Sequence, residues 1–146
     1  MQTQTKQSGF TLLEILVTLL IVSFSLLGIA GIIANSLKAN HSAYARSQAS
    51  WMANDIIDSM RANGTTAEST NPSPYNLAVG DTPTGSGVVL ADLTRWRAAL
   101  AATLPAGTGS VDIDAASSRV TVTVQWNDSR ATGGDAAQEF IVETRL

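Results

Sequence analysis

A single carboxylate, Glu14, lies at the start of the most apolar stretch of this sequence. From Ile15 to Leu37 the chain has no charged residue, and before Lys38 the only charges are those of Lys6 and Glu14. A carboxylate within an apolar segment costs about 2–3 kcal/mol at the centre of a bilayer and less near its surface. Glu14 is therefore a candidate functional residue, and a cation is its expected partner.

No basic side chain follows Glu14 closely, but a chain terminus could supply the cation. If the chain were cut between Gly9 and Phe10, a new α-amino group with a pKa of about 7.7–8.0 would be largely charged. Within one helix this amine would lie about one turn from Glu14. Between staggered helices of neighbouring subunits, the amine and the carboxylate could neutralise each other. The pattern therefore indicates processing followed by assembly.

The remaining composition argues against catalysis and against nucleic-acid binding. The 146-residue chain has no cysteine, which excludes disulfides, thiolate zinc sites and cysteine nucleophiles, and its one histidine is His41. Neither a nucleophile elbow nor a glycine-rich phosphate loop is present. Nine basic residues against 12 acidic ones leave no broad cationic surface for phosphates. We therefore predict no enzymatic activity, no cofactor and no nucleic-acid partner.

Two pairs of aspartates in the C-terminal part raise the question of calcium. They are Asp112 with Asp114 and Asp128 with Asp135. An EF-hand requires a dense loop of oxygen ligands that closes with a glutamate, and neither pair belongs to such a loop. The sequence therefore predicts no metal site, with calcium at these aspartates as the open alternative.

The charge-free run Ile15–Leu37 is long enough to cross a membrane. As a helix it spans about 34 Å, against about 30 Å for a hydrocarbon core. A buried core helix rarely needs so long an apolar run, and a secretory signal would have a shorter one followed by an Ala-x-Ala site. A membrane-spanning helix is the prediction that fits both length and composition.

The residues around Glu14 resemble the leader of type IV pilins and pseudopilins. The run Gly9-Phe10-Thr11-Leu12-Leu13-Glu14 follows a short polar segment and precedes the apolar helix. The resemblance implies that a prepilin peptidase cuts after Gly9 and methylates the amino group of Phe10. It implies that Glu14, the fifth mature residue, aids filament docking by pairing with a neighbour's terminal amine. It also implies the α+β type IV pilin fold, a long N-terminal helix packed on a small antiparallel sheet.

A second segment, from Arg46 to Asn63, resembles PilV-type minor pilins, in which an Arg-Ser-Gln-Ala stretch leads to Met-Arg-Ala-Asn. This implies a minor pilin that helps to initiate or cap a type IV pilus. The implied partners are the prepilin peptidase, other minor pilins, the major pilin, the inner-membrane assembly platform and membrane lipid. The implied location is the bacterial inner membrane, with the head in the periplasm, and then the pilus.

Two other functions share these signals. One is a minor pseudopilin of a type II secretion system, some of which hold calcium in their C-terminal loops. The other is a membrane-anchored binding module whose head alone recognises a surface ligand. The Met60-Arg61-Ala62-Asn63 stretch and the absence of a calcium loop favour the pilus.

Apolar spacing predicts one helix from Phe10 to about Asn63 that buries Tyr44, Trp51, Ile56 and Met60 against the head. Gly28 and Gly31 lie inside this helix and cost about 1 kcal/mol each relative to alanine. They indicate either close packing between membrane helices or, from the resemblance, a point of helix flexibility.

The resulting organisation has three parts. They are a leader over residues 1–9, a transmembrane half-helix over 10–36 and a periplasmic head over 37–146. After the helix, the head is predicted to contain a loop over 64–91, a short helix over 92–104 and antiparallel strands over 110–146.

Overall fold

The computed structural model describes residues 9–114 and 116–146, so residues 1–8 of the predicted leader lie outside the described residues. The chain divides after Leu37 into an N-terminal unit and a C-terminal unit, Lys38–Leu146. The elements in chain order are α1 (Leu12–Ala62), α2 (Gly64–Ala67), α3 (Gly87–Thr103), β1 (Thr108–Asp114), β2 (Arg119–Trp126) and β3 (Gln138–Arg145).

The described part of the N-terminal unit, residues 9–37, is helical from Leu12 onward and buries none of its side chains. Its hydroxyl groups are satisfied locally. Thr18, Ser23 and Ser25 each donate to a backbone carbonyl of the preceding turn, at 2.7–2.9 Å. Donors satisfied in this way do not oppose transfer of the helix into lipid. The segment is long and apolar enough to cross a membrane.

The C-terminal unit places the remainder of α1 and the helix α3 against a three-stranded antiparallel sheet in the order β1-β2-β3. Val111 pairs with Val122, and Val122 pairs with Val142 in the next strand. Alternate residues of β2 are fully buried, namely Val120, Val122, Val124 and Trp126. This alternation is the period of a strand with one face on a core. The α+β fold predicted from the sequence is confirmed.

The face of α1 that joins this core differs from the predicted one. Tyr44 is 59% exposed and Trp51 is 74% exposed, so the prediction that they are buried is wrong. The predicted burial of Ile56 and Met60 is confirmed, and the buried ridge of α1 consists of Ala45, Ala49, Ala53, Ile56, Ile57 and Met60. Alanines make up half of this ridge, and the aromatic side chains lie on the opposite face of the helix.

Helix α3 begins at Gly87, five residues before the predicted start at Asp92. The apolar spacing extends back to Val89, which is buried with Leu93, Trp96 and Leu100. The indole N–H of Trp96 donates to the carbonyl of Met52 at 2.9 Å and so joins α3 to α1. On the sheet side, a Cβ at Gly109 would lie 2.6 Å from the Trp96 ring. Only glycine therefore allows β1 to approach the indole.

The predicted loop 64–91 is shorter than expected and contributes to the core. It contains the short helix α2, and its residues Tyr75 and Leu77 are buried. Leu77 pairs with Val111 through two backbone hydrogen bonds of 2.8 and 2.9 Å, which cover the outer edge of β1. The loop is thus held along its second half.

The phenol of Tyr75 connects this loop to α3 and to Asn63, the residue that follows α1. Its O–H donates to Asp92 at 2.8 Å, and it accepts a hydrogen bond of 3.1 Å from the amide of Asn63. Burial raises the pKa of Tyr75 above its usual value. The Asn63 hydrogen bond lowers the pKa, and the interaction with Asp92 raises it further. The neutral phenol is therefore the form that the fold holds.

Substitutions on the buried ridge of α1 and on its exposed face should differ in their effect on the free energy of unfolding. Ala49→Leu should lower the free energy of unfolding by about 1–3 kcal/mol, because the added atoms have no space between α1 and the sheet. Trp51→Ala should change it by less than about 0.5 kcal/mol, because Trp51 lies in solvent. Thermal unfolding of the detergent-solubilised protein, followed by circular dichroism, measures both effects.

The matched control is Ser47→Leu, which adds a leucine to the exposed face of the same helix. It should leave the stability nearly unchanged. A larger loss for Trp51→Ala than for Ala49→Leu would contradict the packing described here.

Candidate processing and docking site

The peptide bond between Gly9 and Phe10 precedes the first turn of α1. Neither residue is helical, and Phe10 is 81% exposed. A Cβ at Gly9 would meet nothing within 4 Å, so packing among the described residues does not require glycine at this position. The bond has the exposure that a peptidase requires of its substrate.

Helix α1 begins immediately after this bond because Thr11 caps it. The Thr11 hydroxyl accepts a hydrogen bond of 3.2 Å from the backbone N–H of Glu14, and its carbonyl accepts one of 3.2 Å from Ile15. These are the bonds of an N-cap residue. The sequence analysis missed this role of Thr11, although the spacing Thr11-x-x-Glu14 is that of a capping box.

Glu14 lies in the first turn of α1, where the partial positive charge of the helix N-terminus favours a carboxylate. Its side chain is exposed, and within the described residues no hydrogen bond or ion pair reaches its carboxylate. Gly9, Phe10 and Glu14 thus lie in one short segment, and among residues 9–114 and 116–146 no side-chain cation pairs with Glu14.

Gly28 and Gly31 lie farther along α1, which is continuous through both positions. A Cβ at either glycine would meet nothing within 4 Å. No contact among the described residues therefore explains these glycines. Both interpretations, helix packing in a membrane and helix flexibility, stay predictions.

The aspartates considered as calcium ligands are engaged in hydrogen bonds with other residues of the C-terminal unit. Asp112 accepts from Asn76, and the hydroxyl of Ser117 holds the pKa of Asp114 below its usual value. Asp128 is buried and accepts a hydrogen bond of 2.5 Å from Ser42. Across residues 9–114 and 116–146, no group of three or more histidine, cysteine or acidic residues is arranged to hold a metal ion.

Comparison with known proteins identifies one family signature. Residues 4–30 match the family model described as the prokaryotic N-terminal methylation motif. No significant similarity to a curated protein or to a solved structure was found. The matched region includes Gly9, Phe10 and Glu14, together with the first part of the apolar helix.

The motif and the fold lead to the same class of protein. The N-terminal methylation motif supports the type IV pilin superfamily and implies processing by a prepilin peptidase. The long apolar helix fits membrane anchoring, and the helix packed on a three-stranded antiparallel sheet is consistent with the type IV pilin fold. The methylation motif supports a pilin-like or pseudopilin-like protein and suggests a structural subunit.

Proposed function

We propose that this chain is a minor pilin of a type IV pilus, a structural subunit that helps to initiate or cap the filament. The observation that carries the proposal is the N-terminal methylation motif over residues 4–30. It coincides with an exposed Gly9–Phe10 bond and with a carboxylate, Glu14, in the first turn of an apolar helix. The likeness of residues 46–63 to PilV-type minor pilins supports the subclass.

In this proposal the chain is first held in the inner membrane by α1, with the C-terminal unit in the periplasm. Cleavage after Gly9 removes Lys6 and exposes the amine of Phe10, which is then methylated. The methylated amine still carries a proton and a positive charge near neutral pH. Docking brings this amine to the carboxylate of a neighbour, or the Glu14 carboxylate to a neighbour's amine. Two charges that are each unfavourable in lipid are thereby neutralised in the assembled filament.

The partners in this proposal are other minor pilins, the major pilin and the inner-membrane assembly platform. Their contacts with this chain would use the apolar helix and the exposed face of α1, where Tyr44 and Trp51 lie in solvent. Large exposed aromatic residues are common at protein interfaces. The competing function is a minor pseudopilin of a type II secretion system, in which the same N-terminal segment would enter a short secretion fibre.

A deletion separates the pilus from the secretion fibre. Removing the gene from its own organism should reduce the number of surface pili and leave the secretion of extracellular enzymes unchanged. Electron microscopy of cells and protein assays of the culture medium measure the two outcomes. Normal piliation combined with a loss of secreted enzymes would contradict the pilus assignment and favour the pseudopilin.

A second prediction concerns the role of the Glu14 carboxylate in incorporation into filaments. Glu14→Val should leave the amount of membrane-inserted protein unchanged, because valine favours insertion. Its amount in sheared filaments should fall about tenfold, the effect of losing about 1.4 kcal/mol of docking energy. Quantitative immunoblotting of membrane and filament fractions measures both amounts.

The control for this experiment is Glu68→Gln, which removes an exposed carboxylate from the C-terminal unit. Its incorporation should equal that of the unchanged protein. Normal incorporation of Glu14→Val into filaments would contradict the hypothesis that this carboxylate pairs with a terminal amine.

A further inference from the structure

A pocket of about 340 Å³ lies between α1 and the loop that joins β2 to β3. It is lined by Ala39, Ser42, Ala43, Arg46, Ala131 and Thr132. Three of the lining residues are alanines, whose small side chains leave the pocket unfilled. None of the lining residues is acidic. The Ser42 hydroxyl donates its proton to Asp128, so the donors that face a ligand are those of Arg46 and Thr132.

Basic residues without an acidic partner are concentrated at this pocket. Elsewhere, Arg61, Arg95 and Arg119 each form an ion pair with a carboxylate. Among the described residues, four exposed cations form none: Lys38, Arg46, Arg130 and Arg145.

One of these four cations lines the pocket, and two more are sequence neighbours of lining residues. Arg46 lines it, and Lys38 and Arg130 immediately precede the lining residues Ala39 and Ala131. Within the part of the chain that the structure describes, the Arg46 guanidinium donates one weak hydrogen bond, of 3.4 Å, to the amide oxygen of Gln138. The guanidinium therefore remains available to an anion.

The acidic residues of this region are engaged in hydrogen bonds, Asp128 with α1 and Asp135 within the loop. Asp128 is 4% exposed and accepts the Ser42 hydroxyl, while Asp135 accepts the backbone N–H of Ala137. The buried Asp128 carboxylate lowers the affinity of the pocket for an anion. Across the segments 38–46 and 128–135, which contribute all lining residues, three basic residues outnumber two carboxylates, so the net charge of these segments favours an anion.

The sequence places this pocket close to the end of the apolar run. Ala39 follows Leu37 by two positions, and the rise of a helix puts Ala39 and Ala43 about 3–9 Å farther along α1. The headgroup layer of a bilayer is about 5–8 Å thick on each side. Helical side chains lean toward the N-terminus, so the guanidinium of Arg46 reaches back along α1 toward Ser42. In the proposed membrane-held state, the pocket residues of α1 would therefore lie at the depth of lipid phosphates.

We propose that this pocket binds the phosphate of an anionic phospholipid headgroup, with Arg46 as its main charged ligand and Lys38 and Arg130 beside it. The proposal depends on the membrane-held state described under the proposed function. Arginine suits this role because its planar group of donors matches phosphate geometry. The bound lipid would hold the C-terminal unit at the membrane surface until the subunit is extracted.

The test measures which lipids the full-length protein retains. The protein is purified from detergent containing equal amounts of phosphatidylglycerol and phosphatidylcholine, and the retained lipids are counted by mass spectrometry. The unchanged protein should retain phosphatidylglycerol preferentially. Arg46→Gln should reduce this preference about fivefold, the effect expected for one basic residue at a lipid surface. Ala131→Leu, which fills the pocket without changing its charge, should reduce the preference as well.

The matched control is Arg145→Gln, which removes an equal charge from an unpaired arginine that does not line the pocket. It should retain phosphatidylglycerol as the unchanged protein does. An equal loss in Arg145→Gln would overturn the proposal, because the preference would then reflect net charge. An unchanged preference in both Arg46→Gln and Ala131→Leu, with normal thermal unfolding, would overturn it too.

Two further measurements separate the lipid from free phosphate and from the pilin function. If inorganic phosphate binds the pocket as tightly as phosphatidylglycerol and displaces it, the lipid is not the ligand and this part of the proposal is overturned. Gly9→Val, which should block cleavage, should retain phosphatidylglycerol normally, because the pocket lies within residues 39–132. A protein with a methylated Phe10 but no lipid preference would overturn the lipid site and leave the pilin function intact.

Discussion

The charge of Glu14 has to be satisfied within a helix whose following residues, up to Leu37, carry none. The hydroxyls of this helix bond to its own backbone, and the helix start is capped by Thr11. The carboxylate is the polar group that these local bonds leave without a partner among the described residues. A terminal amine created at Phe10 has the complementary charge and a position one turn away. Processing, membrane insertion and docking are linked in our proposal because they involve the same two groups.

In the C-terminal unit, one face of α1 packs into the core and the opposite face lies in solvent. The buried ridge of α1 is half alanine, and Trp96 adds a hydrogen bond to the helix backbone. This packing leaves Tyr44 and Trp51 in solvent, where a neighbouring subunit can reach them. Near the N-terminal end of the unit, the loop after β2 and α1 enclose the pocket around Arg46. In the proposed function, this end would face lipid before extraction.

Features that depend on a local pattern of residues could be predicted from the sequence. Features that depend on contacts between residues far apart in the chain could not. Alternation in Val120–Trp126 identified β2 and its buried face, and the run around Gly9 lies in the region that matches the N-terminal methylation motif. Tyr44 and Trp51 were misplaced because the apolar pattern gives alanine little weight, whereas packing against a sheet favours it. Burial of Leu77 could not be predicted, since it follows from pairing with Val111. The partner of Glu14 stays a prediction, because no residue that the structure describes pairs with its carboxylate.

The measurement that tests the central claim most directly is the intact mass and amino-terminal sequence of the protein purified from its own cells. Our account predicts a chain that begins at Phe10 with a methylated α-amino group. A chain that retains residues 1–9, in cells whose prepilin peptidase is active, would contradict the account. The N-terminal segment would then be a membrane anchor without a role in filament assembly.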